Sequence, residues 1–189
     1  MTNYTPETFI PARDALARHG VIAYPTEAVF GLGCAPYDEV AVRRLLSLKS
    51  RSAEKGLILI AADYSQLLDY VDDKKILQDQ RFNVLSHWPG HTTLILPARP
   101  DVPSFLRGQH DTIAVRVTAH EPARQLCKAL GTALVSTSAN RSGEPALTSA
   151  EAVRNTFGED IDWIMDAEVG KATQPSRIIN PLTKEVIRS

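Results

Sequence analysis

A short apolar run, Val21 to Tyr24, follows Gly20 and stops at Pro25. No other stretch constrains the fold as much, because a bounded apolar run of this length reads as a buried strand. Pro25 lacks an N–H and ends the ladder, which puts Thr26 and Glu27 at the strand's carboxyl end. In open α/β sheets ligands collect on that side. Gly31 and Gly33 follow; they permit a positive φ or a close backbone approach, and serve either a turn or a ligand.

The flanking segments supply layers around that strand. Thr8 to His19 carries Phe9, Ala12, Leu16 and Ala17 at helical spacing, with Gly20 as a stop. Asp38 caps an expected helix over 39–49. Leu57 to Ala61 reads as a second buried strand. Asp63-x-x-Gln66 resembles a capping box opening a short helix through Tyr70, and a further helix over 73–87 ends at Trp88-Pro89-Gly90. Thr93 to Leu96 and Thr112 to Val117 read as strands, then a helix with Pro122 at its first position runs to Gly131. Ala133 to Ser136 is another strand. Thr148-x-x-Glu151 reads as a capping box for a helix closed by Gly158. Trp163 to Met165, Arg177 to Ile179 and Glu185 to Ile187 complete the strands, the last two forming a hairpin around Asn180 to Lys184. Strands alternate with helices early and neighbour each other late. The expectation is an α/β fold in one domain over 1–189, with a twisted mixed parallel and antiparallel sheet flanked by helices.

Composition excludes several classes. With 43% hydrophobic and 23% charged residues the chain resembles ordinary globular proteins, and no apolar run reaches the ~20 residues of a membrane span. The polar start, Met1 to Pro11, lacks a signal-peptide core, so the expected compartment is the cytoplasm. Cys34 and Cys127 are too few for a disulfide framework or a cysteine zinc site, and Cys34 reads as a small buried residue. The five histidines lack metal-ligand spacing and read as surface or capping residues. The formal net charge of −1 means that an anion site must come from local clustering.

Three such clusters stand out. Lys49, Arg51 and Lys55 share one short connection with only Glu54 to offset them; the loop suits a polyphosphate or is simply solvated. Ser136-Thr137-Ser138-Ala139-Asn140-Arg141-Ser142-Gly143 crowds hydroxyls and an amide at a strand end, where they serve a ligand or their own turn. Arg116 lies within an apolar strand and needs an anionic partner, internal or bound. The P-loop and Gly-x-Ser-x-Gly patterns are absent, and Ser52-x-x-Lys55 lacks its companion motifs.

In order along the chain, Tyr24-Pro25-Thr26-Glu27-Ala28-Val29-Phe30-Gly31-Leu32-Gly33, Lys49-x-Arg51, Trp88-Pro89-Gly90, Ala114-Val115-Arg116-Val117 and Ser138-Ala139-Asn140-x-Ser142-Gly143 resemble the YrdC/TsaC-like family of threonylcarbamoyl-AMP synthases. The resemblance implies a basic concave cavity and a reaction of L-threonine, bicarbonate and ATP to threonylcarbamoyl-AMP and pyrophosphate. The product would pass to the tRNA threonylcarbamoyl-transfer machinery. It implies that Thr26, Arg116, Ser138 and Ser176 contact threonine, Arg116 through the carboxylate. Lys49, Arg51 and Lys55 would hold the ATP phosphates, with Lys49 and Arg51 catalytic. Thr112, Asn140, Thr148 and Arg188 would lie on the nucleotide side, and Mg²⁺ would accompany ATP. Ser52 and His91 stand where the family often has proline, and Ser176-Arg177-Ile178 replaces a common Ser-Thr-Val. Two alternatives share the same residues: a structured-RNA-binding module, with weak RNA affinity in the basic cavity, and a carbamoyl-transfer relative.

Overall fold

In the computed structural model, which describes residues 4–189, the run after Gly20 forms β1 (Ile22–Pro25), next to the edge of a nine-stranded sheet. It pairs antiparallel with β2 (Phe30–Gly33), Tyr24 opposite Gly31 and Ile22 opposite Gly33. The sequence reading did not anticipate β2, because two glycines in four residues weaken a strand signal. Their purpose here is close approach, since neither has a positive φ. The Tyr24 ring lies across them, and its hydroxyl donates to the Val135 carbonyl at 3.2 Å. A Cβ on Gly33 would meet that carbonyl oxygen at 2.3 Å and the ring at 2.8 Å. Gly33→Ala is therefore expected to destabilise the protein by about 1–3 kcal/mol. Urea unfolding checks this, and an unchanged midpoint would mean that the ring shifts freely.

The chain order is α1 (Ile10–Ala17), preceded by a 3₁₀ turn at Pro6–Phe9, then β1, β2, α2 (Glu39–Leu48), β3 (Ile58–Ala61), α3 (Gln78–Leu85), β4 (Thr92–Pro97), α4 (Ser104–Arg107), β5 (Thr112–Val117), α5 (Glu121–Leu130), β6 (Leu134–Ser138), α6 (Ala150–Phe157), β7 (Trp163–Ile164), β8 (Arg177–Asn180) and β9 (Glu185–Arg188). Across the sheet the order is β7-β1-β2-β6-β3-β5-β4-β8-β9. Parallel pairs (β1 with β7, β3 with β5, β4 with β8) mix with antiparallel ones, as expected.

Alternation along β1 splits the core in two. Ile22 and Tyr24 pack with Ile60, Leu134 and Phe9, and with Ala12 of α1 and Leu126 of α5. Ala23, Leu32, Leu59 and Val115 pack instead with Leu45 of α2 and Val153 of α6. Both faces are covered, which is why the strands read as continuous apolar runs.

Several boundaries differ from the sequence reading. Asp38 does cap α2, accepting from Ala41 N at 3.1 Å. The expected 73–87 helix is a 3₁₀ turn at Asp73–Lys75 followed by the shorter α3. The segment after Asp63 is only a 3₁₀ turn, Tyr64–Leu67, and Gln66 Oε1 accepts from Ala62 N instead of closing a box. Glu121 is the first residue of α5, so Pro122 is its second. Ser149, not Thr148, caps α6: its side chain accepts from Ala152 N. The strand expected at Ala133 to Ser136 runs on through Thr137 and Ser138. The short α4 had no periodic signal. Among the described residues no helix is long and apolar enough to cross a membrane.

Candidate functional site

The carboxyl end of β1 does open onto a cavity. About 220 Å³ in volume, it is lined by Thr26, Ala28 and Phe30 to Gly31, by Ser136 to Ser138 of β6, and by Arg51, His91, Arg116, Ser176 and Arg188. A second cavity of about 480 Å³ adjoins it, with Lys55, Arg107, His110, Thr112, Asn180 and Glu185 in its wall. Arg51, Leu57, Ile58 and Arg188 line both, so the two compartments share a wall carrying two guanidiniums.

Arg116, Arg51 and Arg188 form a convergent set of cations. Burial and the charges of Arg116 and Arg51 hold the Arg188 pKa below its ordinary value. Burial also lowers Arg51. Arg51 Nη2 donates to the Gly56 carbonyl at 3.0 Å, while its Nε is buried with no partner. Like charges gathered in a half-buried cleft, with donors left over, form a site for an anion.

Glu27 is the carboxylate set against these cations, and the sequence reading did not single it out as a site residue. Its Oε2 lies 3.2 Å from Arg116 Nη1. Its Oε1 accepts from the Thr118 hydroxyl at 2.7 Å and from Ala119 N at 3.1 Å. Burial pushes the Glu27 carboxyl up, yet the Arg116 charge and the hydrogen bonds from the Thr118 hydroxyl and the backbone more than offset it and bring the pKa to about 2. Arg116 thus has the internal partner that an arginine in an apolar strand requires. Its Nε is nonetheless buried without an acceptor. A carboxylate next to a Pro-Thr turn was the available signal for Glu27.

The other expected site residues fall into place unevenly. Thr26 is buried, and its hydroxyl donates to the Val29 carbonyl at 2.7 Å. Ser138 Oγ donates to Asn140 Oδ1 at 2.7 Å. Ser176 is buried, its Oγ 2.9 Å from Thr93 Oγ1, and its carbonyl accepts from Arg188 Nη2 at 2.7 Å. Thr112 and Lys55 line the larger cavity. Thr148 lines neither cavity and is exposed, one residue before the α6 cap.

Lys49, expected from the resemblance to hold the ATP phosphates, is not part of a solvated loop. It is the C-terminal cap of α2 and is buried. Its Nζ donates to the Ser138 carbonyl at 2.6 Å, the Asn140 carbonyl at 3.0 Å and Asn140 Oδ1 at 2.7 Å. Burial and the nearby Arg51 lower its pKa to about 8. Lys49 and Asn140 line neither cavity, and their hydrogen bonds fix the end of β6. The polar run after β6 is therefore a ligand-facing strand end and an internal turn at once.

His91 was expected at the surface, but it lines the smaller cavity. Cys34 is buried as expected and Cys127 is buried as well, and burial raises both thiols, Cys127 to about 12. Glu185 lines the larger cavity, whereas Glu27 lines neither. Among the described residues, no group of three or more His, Cys, Asp or Glu side chains could hold a metal ion.

Residues 14–189 match the family Sua5_yciO_yrdC, described as "Telomere recombination". The chain is 66% identical over 183 residues to the threonylcarbamoyl-AMP synthase of Idiomarina loihiensis, a match covering 96% of this chain and 97% of that protein. It is 49% identical over 181 residues to the threonylcarbamoyl-AMP synthase of Pseudoalteromonas translucida, covering 96% and 97%. The crystal structure of P. abyssi Sua5 complexed with L-threonine matches with a TM-score of 0.86 at 33% identity, covering 95% of this chain and 52% of that one. This chain therefore spans about half the length of that Sua5.

Proposed function

The chain belongs to the Sua5/YciO/YrdC family, and on that premise we propose that it is an L-threonylcarbamoyladenylate synthase, a nucleotidyltransferase making threonylcarbamoyl-AMP and pyrophosphate from L-threonine, bicarbonate and ATP. The observation that carries this reading is the division of the site. Thr26, Arg116, Ser138 and Ser176 line the smaller cavity, Lys55 and Thr112 the larger, and Arg51 and Arg188 both. An amino acid in the first and a nucleotide in the second would meet at the two shared guanidiniums.

Charge explains why the meeting place is cationic. The carbamate formed from threonine and bicarbonate attacks the α-phosphate through an oxygen, so two anions must approach. Fixed cations at the shared wall lower that repulsion in the transition state, and they need no reorganisation as the charge moves. Lys49 supports this by holding the Ser138 and Asn140 carbonyls. With Glu185 the one carboxylate among the lining residues of the larger cavity, the chain offers no cage of its own for Mg²⁺. Arg51, Lys55 and Arg188 would hold the phosphates of an ATP that carries the ion, which would supply charge neutralisation for the leaving group. No protein nucleophile is required. The product serves tRNA threonylcarbamoylation in the cytoplasm.

Purified protein with ATP and Mg²⁺ is expected to release pyrophosphate only when threonine and bicarbonate are both present, without tRNA. Serine lacks the methyl that an apolar part of the wall, such as Ala28 or Phe30, would receive, and one methyl is worth about 1–3 kcal/mol. It should be a poor substrate and not an inert one. Release at the same rate without threonine would defeat the proposal, whereas salt-sensitive RNA binding without turnover would favour an RNA-binding module.

A further inference from the structure

We propose that His91, as the neutral ring protonated on Nε2, is a positioning residue for threonine: it braces Arg116 against the Gln174–Ser176 segment that closes the smaller cavity. This inference rests on the reading of that cavity as the threonine site.

The tautomer follows from what each ring nitrogen meets. Nδ1 lies 3.1 Å from Arg116 Nη1. A guanidinium nitrogen only donates, so Nδ1 must accept and carries no proton. Nε2 lies 2.8 Å from the Gln174 carbonyl oxygen, which only accepts, so Nε2 carries the proton. The two bonds are mutually consistent for the neutral ring alone. Glu27 Oε2 is 3.7 Å from Nδ1, beyond hydrogen-bond reach, so the ring's lone pair serves Arg116.

The brace completes the fixing of Arg116. Glu27 Oε2 draws Nη1 by charge, without a hydrogen bond that would set its angle. The His91 bond supplies the direction. On the other side of the ring, Gln174 leads into Pro175 and Ser176, which line the cavity. Ser176 is tied in turn to Thr93 and Arg188. One imidazole therefore connects the cation that would receive the carboxylate to the segment that walls it in. The charged groups near the ring are Arg116 and Glu27, with Arg188 as the next cation along the wall. A proline at this position would make neither bond, so the brace belongs to this chain's own sequence.

Two substitutions separate positioning from bulk. His91→Leu keeps an apolar body and removes both bonds; His91→Gln keeps one acceptor and one donor. In calorimetry with threonine and in steady-state turnover of the full-length protein, His91→Leu should raise the threonine Kd and KM about tenfold, the effect of one lost directional hydrogen bond. The ATP KM should not move, and kcat should stay within about twofold of wild type. His91→Gln should restore threonine affinity to within about threefold. Nitrogen-15 spectra of the wild-type imidazole at about pH 8 should show the Nε2–H form. Unchanged threonine affinity in His91→Leu, equal weakening for both substrates, no rescue by Gln, or an Nδ1–H ring would each overturn the proposal. If His91→Leu does not fold, the tautomer and His91→Gln still decide. If the protein binds threonine but releases no pyrophosphate, the synthase reading fails while the calorimetry still tests His91.

Discussion

Arg51→Ala is expected to lower turnover by about 10²–10³ while leaving the melting temperature within a few degrees of wild type. Arg51 lines both cavities and has one internal hydrogen bond, to the Gly56 carbonyl. Its Nε is buried without an acceptor, so removing it takes away little that the empty fold uses. The loss falls on the transition state, where the attacking carbamate and the phosphate come together. Arg51→Lys should recover only part of it, because an ammonium cannot bridge two compartments with a fixed fork of donors. Lys49→Ala provides the contrast. It removes three hydrogen bonds that tie α2 to the end of β6, so both turnover and stability should fall. Stopped-flow pyrophosphate release and thermal melts on the same preparations check both. Near-normal turnover in Arg51→Ala would remove it from the reaction.

Arg116→Met should weaken threonine binding by about 10²–10³ and leave ATP binding nearly intact, the loss typical when one member of a desolvated charge pair is truncated. Considered without its partner, Arg116 looks expendable for stability, and its removal would relieve a desolvation cost. The structure reverses that expectation: Glu27 would remain, buried and unpaired, and the empty protein should lose about 3–5 kcal/mol. The pH dependence distinguishes the cases. In the native protein the Glu27 pKa lies at about 2 against an ordinary 4.5. The stability it contributes is therefore complete above pH 4.5 and is lost as the pH falls towards 2. In Arg116→Met one of the causes that lower the carboxyl is gone, so its pKa should rise from about 2 and its contribution to stability should be lost at a higher pH than in the wild type. Adding Glu27→Gln should restore stability without restoring threonine affinity. Equal loss of ATP and threonine binding in Arg116→Met would make Arg116 a structural residue only.

The sequence carried the sheet, its mixed character and most strand positions, because apolar runs bounded by Gly, Pro and Asp are local signals. It also brought Thr26, Arg51, Arg116 and Ser138 to one place. It failed where a residue's meaning depends on a distant partner. Gly31 and Gly33 stay open in the sequence between a turn and a ligand contact, because the Tyr24 ring that requires them belongs to the neighbouring strand. Lys49 read as a loop cation because its three acceptors lie 89 and 91 residues away. The sequence reading puts Glu27 at the strand end but gives it no role, because its significance comes from Arg116, and gives His91 none because a lone histidine after a turn has no period to betray it. Thr148 matched a capping pattern one residue out of register with the cap that formed, and such patterns are least reliable at element ends.

The outermost strand, β9, pairs with β8 alone, and all four of its residues are exposed. A ladder held on one side opens by local unfolding at a fraction of the global free energy. Arg188 stands on that strand, anchored through the Ser176 carbonyl and hydroxyl. If β9 peeled away, Arg188 would leave with it, while Arg51, Leu57 and Ile58 would keep their part of the wall that the two cavities share. Of the two guanidiniums common to both cavities, one is therefore held by a connection into the core and the other only as firmly as the edge of the sheet.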